Sequence, residues 1–310
     1  VVNKPRTVAR QFFIRMKHLI LTLLSTICFV ISTQAQIEVD GVYYETCSDG
    51  VKVVSGDYSG DITIPLEIKY YDGLDDKTYT YKVAAIEDNA FSRNTDITSI
   101  KIDALIKKLD VNDCKSLKTL ELPNTVEELI CDHCPSLTSI PFPANMKELP
   151  SLDGCGSITS LTIPTTITSL GNGFYGMDNL ESVTIEDSEK DLEYLNVGES
   201  CLRSESLKTL YLGRRLNKPI SSNALEALEL GKFITSLSGV FKNCPALVSF
   251  KANGEITEIS DRTFNNCSAL TTINLPKSIK VIGRSAFENC SSLASIDFLE
   301  NVNCIGSEAF

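Results

Sequence analysis

The stretch Leu270 to Cys290, LTTINLPKSIKVIGRSAFENC, has near-copies on both sides, and that repetition limits the fold more than any other feature of the chain. The unit reads Leu270-x-x-Ile273-x-Leu275-Pro276, then Ile279-x-x-Ile282-Gly283, then Ala286-Phe287-x-x-Cys290-x-x-Leu293. Leu247, Leu270 and Leu293 open successive copies 23 residues apart. Upstream openings fall at Ile97, Leu117, Leu137, Ile158, Leu180, Leu207 and Leu225, with steps of 20, 20, 21, 22, 27, 18 and 22 residues up to Leu247. A period of this length specifies a solenoid, because one such unit cannot bury its apolar side alone and must do so against its neighbours.

After each opening comes an apolar-x-apolar pair: Ile100/Ile102, Leu120/Leu122, Ile140/Phe142, Leu161/Ile163, Val183/Ile185, Leu210/Leu212, Leu228/Leu230, Phe250/Ala252, Ile273/Leu275 and Ile296/Phe298. Alternation over so few residues makes a short strand with one buried face. The expected fold is therefore mainly β with short helical or 3-10 turns, about ten coils stacked in parallel. Two further columns read as core. Phe91, Phe174, Phe241, Phe264, Phe287 and Phe310 stand six residues before the openings or in series with them, and Cys114, Cys134, Cys155, Cys244, Cys267 and Cys290 stand three before.

These residues resemble the BspA-like type of leucine-rich repeat, over about residues 83–310. Segment 40–82 resembles the start of that family's domain through Asp40-Gly41-Val42-Tyr43-Tyr44 and Tyr79-Thr80-Tyr81-Lys82-Val83. The resemblance implies a secreted or cell-surface protein whose curved solenoid serves adhesion and protein–protein contact. It implies no catalytic activity, no cofactor and no particular ligand.

Residues 1–35 read as an N-terminal extension and a leader. Met16-Lys17-His18 is a short basic region, Leu19 to Ile31 is mostly apolar, and Thr33-Gln34-Ala35 is a cleavage site of small residues. Thirteen apolar-rich residues are too few to span a bilayer, so no transmembrane segment is expected after cleavage. Ser25-Thr26-Ile27 before Cys28 is a poor lipoprotein box, so no lipid anchor is expected. Residues 36–82, Tyr-rich and broken by glycines, read as one or two β-hairpins capping the first coil, where an open end would expose core and an unpaired edge. The solenoid then runs over 83–310. Phe310 falls one period after Phe287, so the chain is expected to stop inside a repeat, with that end covered by further sequence or another body.

The charge points away from nucleic acid. The whole chain has a formal charge of −11, and the leader removes Lys4, Arg6, Arg10, Arg15 and Lys17 with no acid, so the excess of acids rises to 16. Such a surface repels phosphate backbones.

Several motifs suggest chemistry, and the repeat accounts for each. Cys131-Asp132-His133-Cys134 has the spacing that presents two thiolates to a metal or to redox chemistry. Cys134, however, belongs to the cysteine column, Cys131 and Cys201 occupy the phenylalanine position, and His133 aligns with Asn243, Asn266 and Asn289 at a turn. Core packing is the preferred reading. A disulfide between ladder neighbours is the alternative, since adjacent rungs lie within bonding reach. Gly171-Asn172-Gly173-Phe174-Tyr175-Gly176 satisfies a dinucleotide fingerprint but lacks its strand–helix context. Asn266-Cys267-Ser268 and Asn289-Cys290-Ser291 match a glycosylation acceptor as by-products of the repeat. With one histidine after the leader, no Ser-His-Asp set is available, and an enzyme is not expected. No metal site is expected either.

Function is expected on the outward strand face. One outward column is nearly uniform: Ser99, Thr119, Ser139, Ser160, Ser182, Thr209, Ala227, Ser249, Thr272 and Ser295. The next is varied: Lys101, Glu121, Pro141, Thr162, Thr184, Tyr211, Glu229, Lys251, Asn274 and Asp297. Structural ladders demand sameness and recognition needs variety, so the varied column on the concave side is the expected protein-binding face. A glycan is the alternative ligand, weakened because the column offers only Tyr211 to stack on a sugar. The acidic stretch Glu186 to Glu193, inside the 27-residue step, reads as a surface bulge near that face.

Overall fold

The computed structural model describes residues 36–310 except 172–173, 190–193, 199–204, 239–240, 242 and 297–298. The leader, Cys201, Asp297 and the end of the acidic stretch thus lie outside the described residues. Nearly all regular structure is strand, and the one helical element among the described residues is the 3-10 turn Leu299–Asn301.

Most coils begin with a short strand for the reason their alternation dictates. In Ser160–Ile163 and Thr209–Leu212 the second and fourth residues are buried, and the first and third face outward. Successive strands pair in parallel, so like residues stack: Leu161 on Val183, Leu210, Leu228, Phe250 and Ile273. The openings from Ile97 to Leu270 are at most 1 % exposed, which makes the repeat period the core itself. Burying a side chain of that size contributes roughly 1.5–3 kcal/mol.

The ladder is broken once. Three strands (Gly60–Ile64, Ile97–Ile102, Thr119–Glu121) form one sheet and six, from Ser160–Ile163 to Thr272–Asn274, form another. In the coil between them Pro141 and Pro143 lack the N–H that a ladder requires. The core does not stop there, because Leu137 and Ile140 remain buried. A second line of short parallel pairings runs along another side of the coils, from Lys108–Asp110 with Glu128–Ile130 to Glu258–Ile259, Val281–Ile282 and Cys304–Ile305.

The N-terminal segment differs from its sequence reading in one strand. Ile37–Val39, Val42–Cys47 and Gly50–Val53 form an antiparallel meander, and Glu67–Asp72 makes a hairpin with Lys77–Ile86. Residues 62–64, expected in those hairpins, instead pair in parallel with Ile100–Ile102, so the coil ladder already begins at Gly60. The physical cause is their alternation: Ile62 and Ile64 are buried as any coil strand's inner pair is. Tyr58 brings its ring to 5.1 Å from Phe91 and so acts as the rung before the first phenylalanine.

Two columns at the turns explain why polar residues and cysteines recur. Arg93, Asp113, His133, Gly154, Gly176, Asn243, Asn266 and Asn289 all have positive φ, between 51° and 72°. Glycine, asparagine and aspartate tolerate this left-handed backbone best. It aims the N–H along the stack: His133 donates to the Asp153 carbonyl at 2.6 Å, Asp113 to Asp132 at 2.9 Å and Asn266 to Glu288 at 2.9 Å. The cysteine thiols point the other way. Cys114 donates to the carbonyl of Phe91, Cys134 to Val111, Cys155 to Cys131 and Cys290 to Phe264, each at 3.1 Å. Asn94 and Ser222, which replace cysteine at this position, use their side chains to accept nearby backbone N–H groups instead.

Phenylalanine fills the spine in the last coils. Phe264 lies 5.1 Å from Phe241 and 5.0 Å from Phe287, and Phe287 lies 5.4 Å from Phe310, with the last two pairs nearly parallel. One buried polar residue escaped the sequence reading. Arg214, 8 % exposed, donates to the carbonyls of Ile167 at 2.6 Å and Pro164 at 3.0 Å, reaching past the whole intervening coil. Burial lowers its pKa without discharging the guanidinium.

Candidate functional site

The varied outward column is one continuous file in the six-stranded sheet. Thr162, Thr184, Tyr211, Glu229, Lys251 and Asn274 pair in sequence across neighbouring strands. Lys101 and Glu121 hold the same place in the three-stranded sheet, after Thr63. Pro141 falls in the gap between the sheets, so the two groups are separated by a coil without strand hydrogen bonds. The hydroxyl column stays in register beside it, from Ser160 through Ser182, Thr209, Ala227 and Ser249 to Thr272.

The charged members of the file are engaged with one another. Lys251 Nζ lies 2.8 Å from Glu229 Oε1, and the Asn253 amide donates to the same oxygen at 2.8 Å. The Lys251 and Asn253 hydrogen bonds hold the Glu229 carboxyl below the usual carboxylate range. Lys101 and Glu121 approach to 3.5 Å at exposures of 51 % and 70 %, a surface pair worth at most about 1 kcal/mol.

The middle of the file meets the acidic bulge. The Tyr211 hydroxyl donates to Asp187 Oδ2 at 2.9 Å, and burial together with this bond pushes the phenol up to about 12. A Cβ on Gly231 would stand 1.9 Å from Asp187 Oδ1, so Asp187 folds over the strand ends of later coils and only glycine fits beneath it. Sequence reading flagged the acidic stretch without connecting it to Tyr211. The 27-residue step was the available signal, because extra length after a strand must go over one rim of the sheet.

The other motifs resolve as turn or core. Cys131, Cys134 and Cys155 are fully buried, and among the described residues no set of three His, Cys, Asp or Glu side chains is arranged to hold a metal ion. In the glycine fingerprint Gly171 and Gly176 have φ of 49° and 72°, and Phe174 between them is core. No helix among the described residues is long and apolar enough to cross a membrane.

A family model described as a BspA type leucine-rich repeat region matches the chain in six copies, over residues 69–152, 128–240 and 220–310. The chain belongs to this family. No curated protein matches this BspA-type repeat chain. Among solved structures it is similar to a leucine-rich repeat protein from Bacteroides ovatus, at 20 % identity and a TM-score of 0.41, covering 92 % of each chain. It is also similar to a leucine rich cell surface protein from Faecalibacterium prausnitzii, at 16 % identity and a TM-score of 0.36, covering 90 % of this chain and 96 % of that one. The pneumococcal vaccine antigen PcpA matches at 18 % identity and a TM-score of 0.34, over 89 % of this chain and 79 % of its own.

Proposed function

We propose that this BspA-type chain is a non-enzymatic, exported or cell-surface module that binds a protein through the outward face of its main sheet, the concave side of the solenoid. The observation that carries the reading is the file Thr162 to Asn274. Six side chains of differing size and charge are held in strict parallel register beside a nearly uniform hydroxyl column. At about 4.8 Å per strand, six strands span about 24 Å, which suits one side of a standard protein–protein footprint. Membership of a family whose resemblance implies adhesion supports the same reading.

The pairing of Glu229 with Lys251 suggests the test. Exchanging the two (Glu229→Lys with Lys251→Glu) keeps an ion pair while reversing the pattern a partner meets. The full chain, immobilised and offered a panel of purified surface and matrix proteins, is expected to bind one of them, and the exchange variant to lose at least tenfold in affinity with its melting temperature unchanged. Binding that ignores the exchange would remove the face from the proposal. A glycan array run alongside tests the sugar alternative, which would centre on Tyr211. That ring already has its hydroxyl committed to Asp187.

A further inference from the structure

One cluster lies outside the strand face and is unlike the rest of its column. At the spine position most coils carry an apolar residue, Phe91, Val111, Leu152 and Phe174 among them, but cysteine stands there at Cys131 and, outside the described residues, at Cys201. Cys131 places a thiol where the column thiols of the same coil and the next can meet it. The Cys155 thiol donates to the carbonyl oxygen of Cys131 at 3.1 Å, the Cys131 thiol faces the Ser151 carbonyl at 3.7 Å and the Cys134 thiol the Val111 carbonyl at 3.1 Å, all three fully buried in adjacent coils. At Cys114, Cys267 and Cys290, which have no third thiol at the spine, burial pushes the thiols up to about 11, 12 and 11.

We infer that Cys131, Cys134 and Cys155 are an oxidation site, at which Cys155 forms a disulfide with one of the two cysteines of the preceding coil. Cys134 and Cys155 are equivalent rungs, and a rung spacing of about 4.8 Å falls inside the Cα separation of about 4.4–6.8 Å that a disulfide accepts. The bond encloses the coil carrying Pro141 and Pro143, where the strand ladder is interrupted. A covalent link there ties the last coil of the three-strand sheet to the coil that contributes no strand to either sheet.

The order of events follows from the cluster. Cys155 is the member common to both candidate bonds, so its thiolate is the one that attacks first once its proton is lost to solvent. With a low-molecular-weight disulfide as oxidant, the Cys155 thiolate attacks one sulfur, the oxidant's S–S bond breaks, and a thiolate leaves. Cys131 or Cys134 then attacks the mixed disulfide at the Cys155 sulfur, its proton passing to the second departing thiolate. The protein loses two hydrogens and the oxidant is reduced to two thiols. The third cysteine stays as a thiol.

The test uses the full chain, both folded and refolded from denaturant, in excess glutathione disulfide, so that burial cannot hide the outcome. Free thiols are then trapped with N-ethylmaleimide and the peptides are mapped by mass spectrometry. The expected product joins Cys155 to Cys131 or Cys134, with the remaining one alkylated, and with Cys114, Cys267 and Cys290 alkylated. Amide exchange over residues 137–150 should slow at least threefold on oxidation and recover with dithiothreitol. Cys131→Val, which installs the residue found at Val111, should retain the Cys134–Cys155 link, whereas Cys155→Ser should abolish every link in the cluster. Alkylation of all three thiols after both treatments, or cross-linking of the other column cysteines to the same extent, overturns the assignment.

Discussion

The last coils and the coil at 137–157 are built from the same repeat and differ in regularity. From Leu247 to Leu293 the steps are equal at 23 residues, and the rings of Phe264, Phe287 and Phe310 lie parallel within 4°. The coil after Leu137 is 21 residues long, carries two prolines where the strand should be, and fills its spine with Leu152. Both keep a buried interior, with Ile256, Phe264 and Ile279 in the one and Met146, Leu149 and Leu152 in the other. Equal length alone does not stack ring on ring, since Phe241 and Phe264 are also 23 residues apart and cross at 60°, while the alternation of apolar residues decides whether there is a core at all. The alternation is the weaker requirement, and it survives the loss of the strand.

The largest expected effect is in the regular region. Phe264 is fully buried between Phe241, Phe250 and Phe287. Phe264→Ala should cost about 3–5 kcal/mol in urea denaturation. A loss below about 1 kcal/mol would mean the ring column contributes shape rather than stability. Next comes the irregular region, where Arg214 replaces stacking by reach. Arg214→Met keeps the stem but leaves the Ile167 carbonyl without the guanidinium donor and the Pro164 carbonyl with only the Ile167 N–H, and should cost about 2–3 kcal/mol. Repairing the broken coil should change little. Pro141→Thr adds a ladder hydrogen bond worth about 1 kcal/mol but frees the unfolded chain by a similar amount, so the net shift should stay within about 1 kcal/mol while amide protection rises at neighbouring residues. The smallest effect is electrostatic. The Glu229 pKa is lowered in the fold, so its contribution is present above the ordinary glutamate pKa and is lost as pH falls through the depressed one. With the side chain 39 % exposed, the acid-dependent difference between the parent chain and Glu229→Gln should be under about 0.5 kcal/mol and should shrink in salt.

What could be read from the residues alone follows the same division. Spacing of Leu, Ile, Phe and Cys located the buried columns, because a parallel stack turns sequence period directly into contact. The turn role of His133 was legible for the same reason, although the left-handed backbone behind it was not. Residues 60–64 were misplaced because the step from them to Ile97 is interrupted by the hairpin Glu67–Ile86, which hides the period. Arg214 was invisible because its partners are backbone carbonyls 47 and 50 residues away, and a carbonyl has no sequence signature. The contact between Tyr211 and Asp187 was hidden likewise, since it depends on which rim the extra residues cross.

Arg214, itself buried, ties the coil that starts at Leu207 to the coil that starts at Ile158. The coil between them is the one whose step has grown to 27 residues. When two walls are clamped to each other, the space between them can change its contents without the walls drifting apart. That clamp holds the coils on either side of the long step in fixed relation through the side chain of one residue.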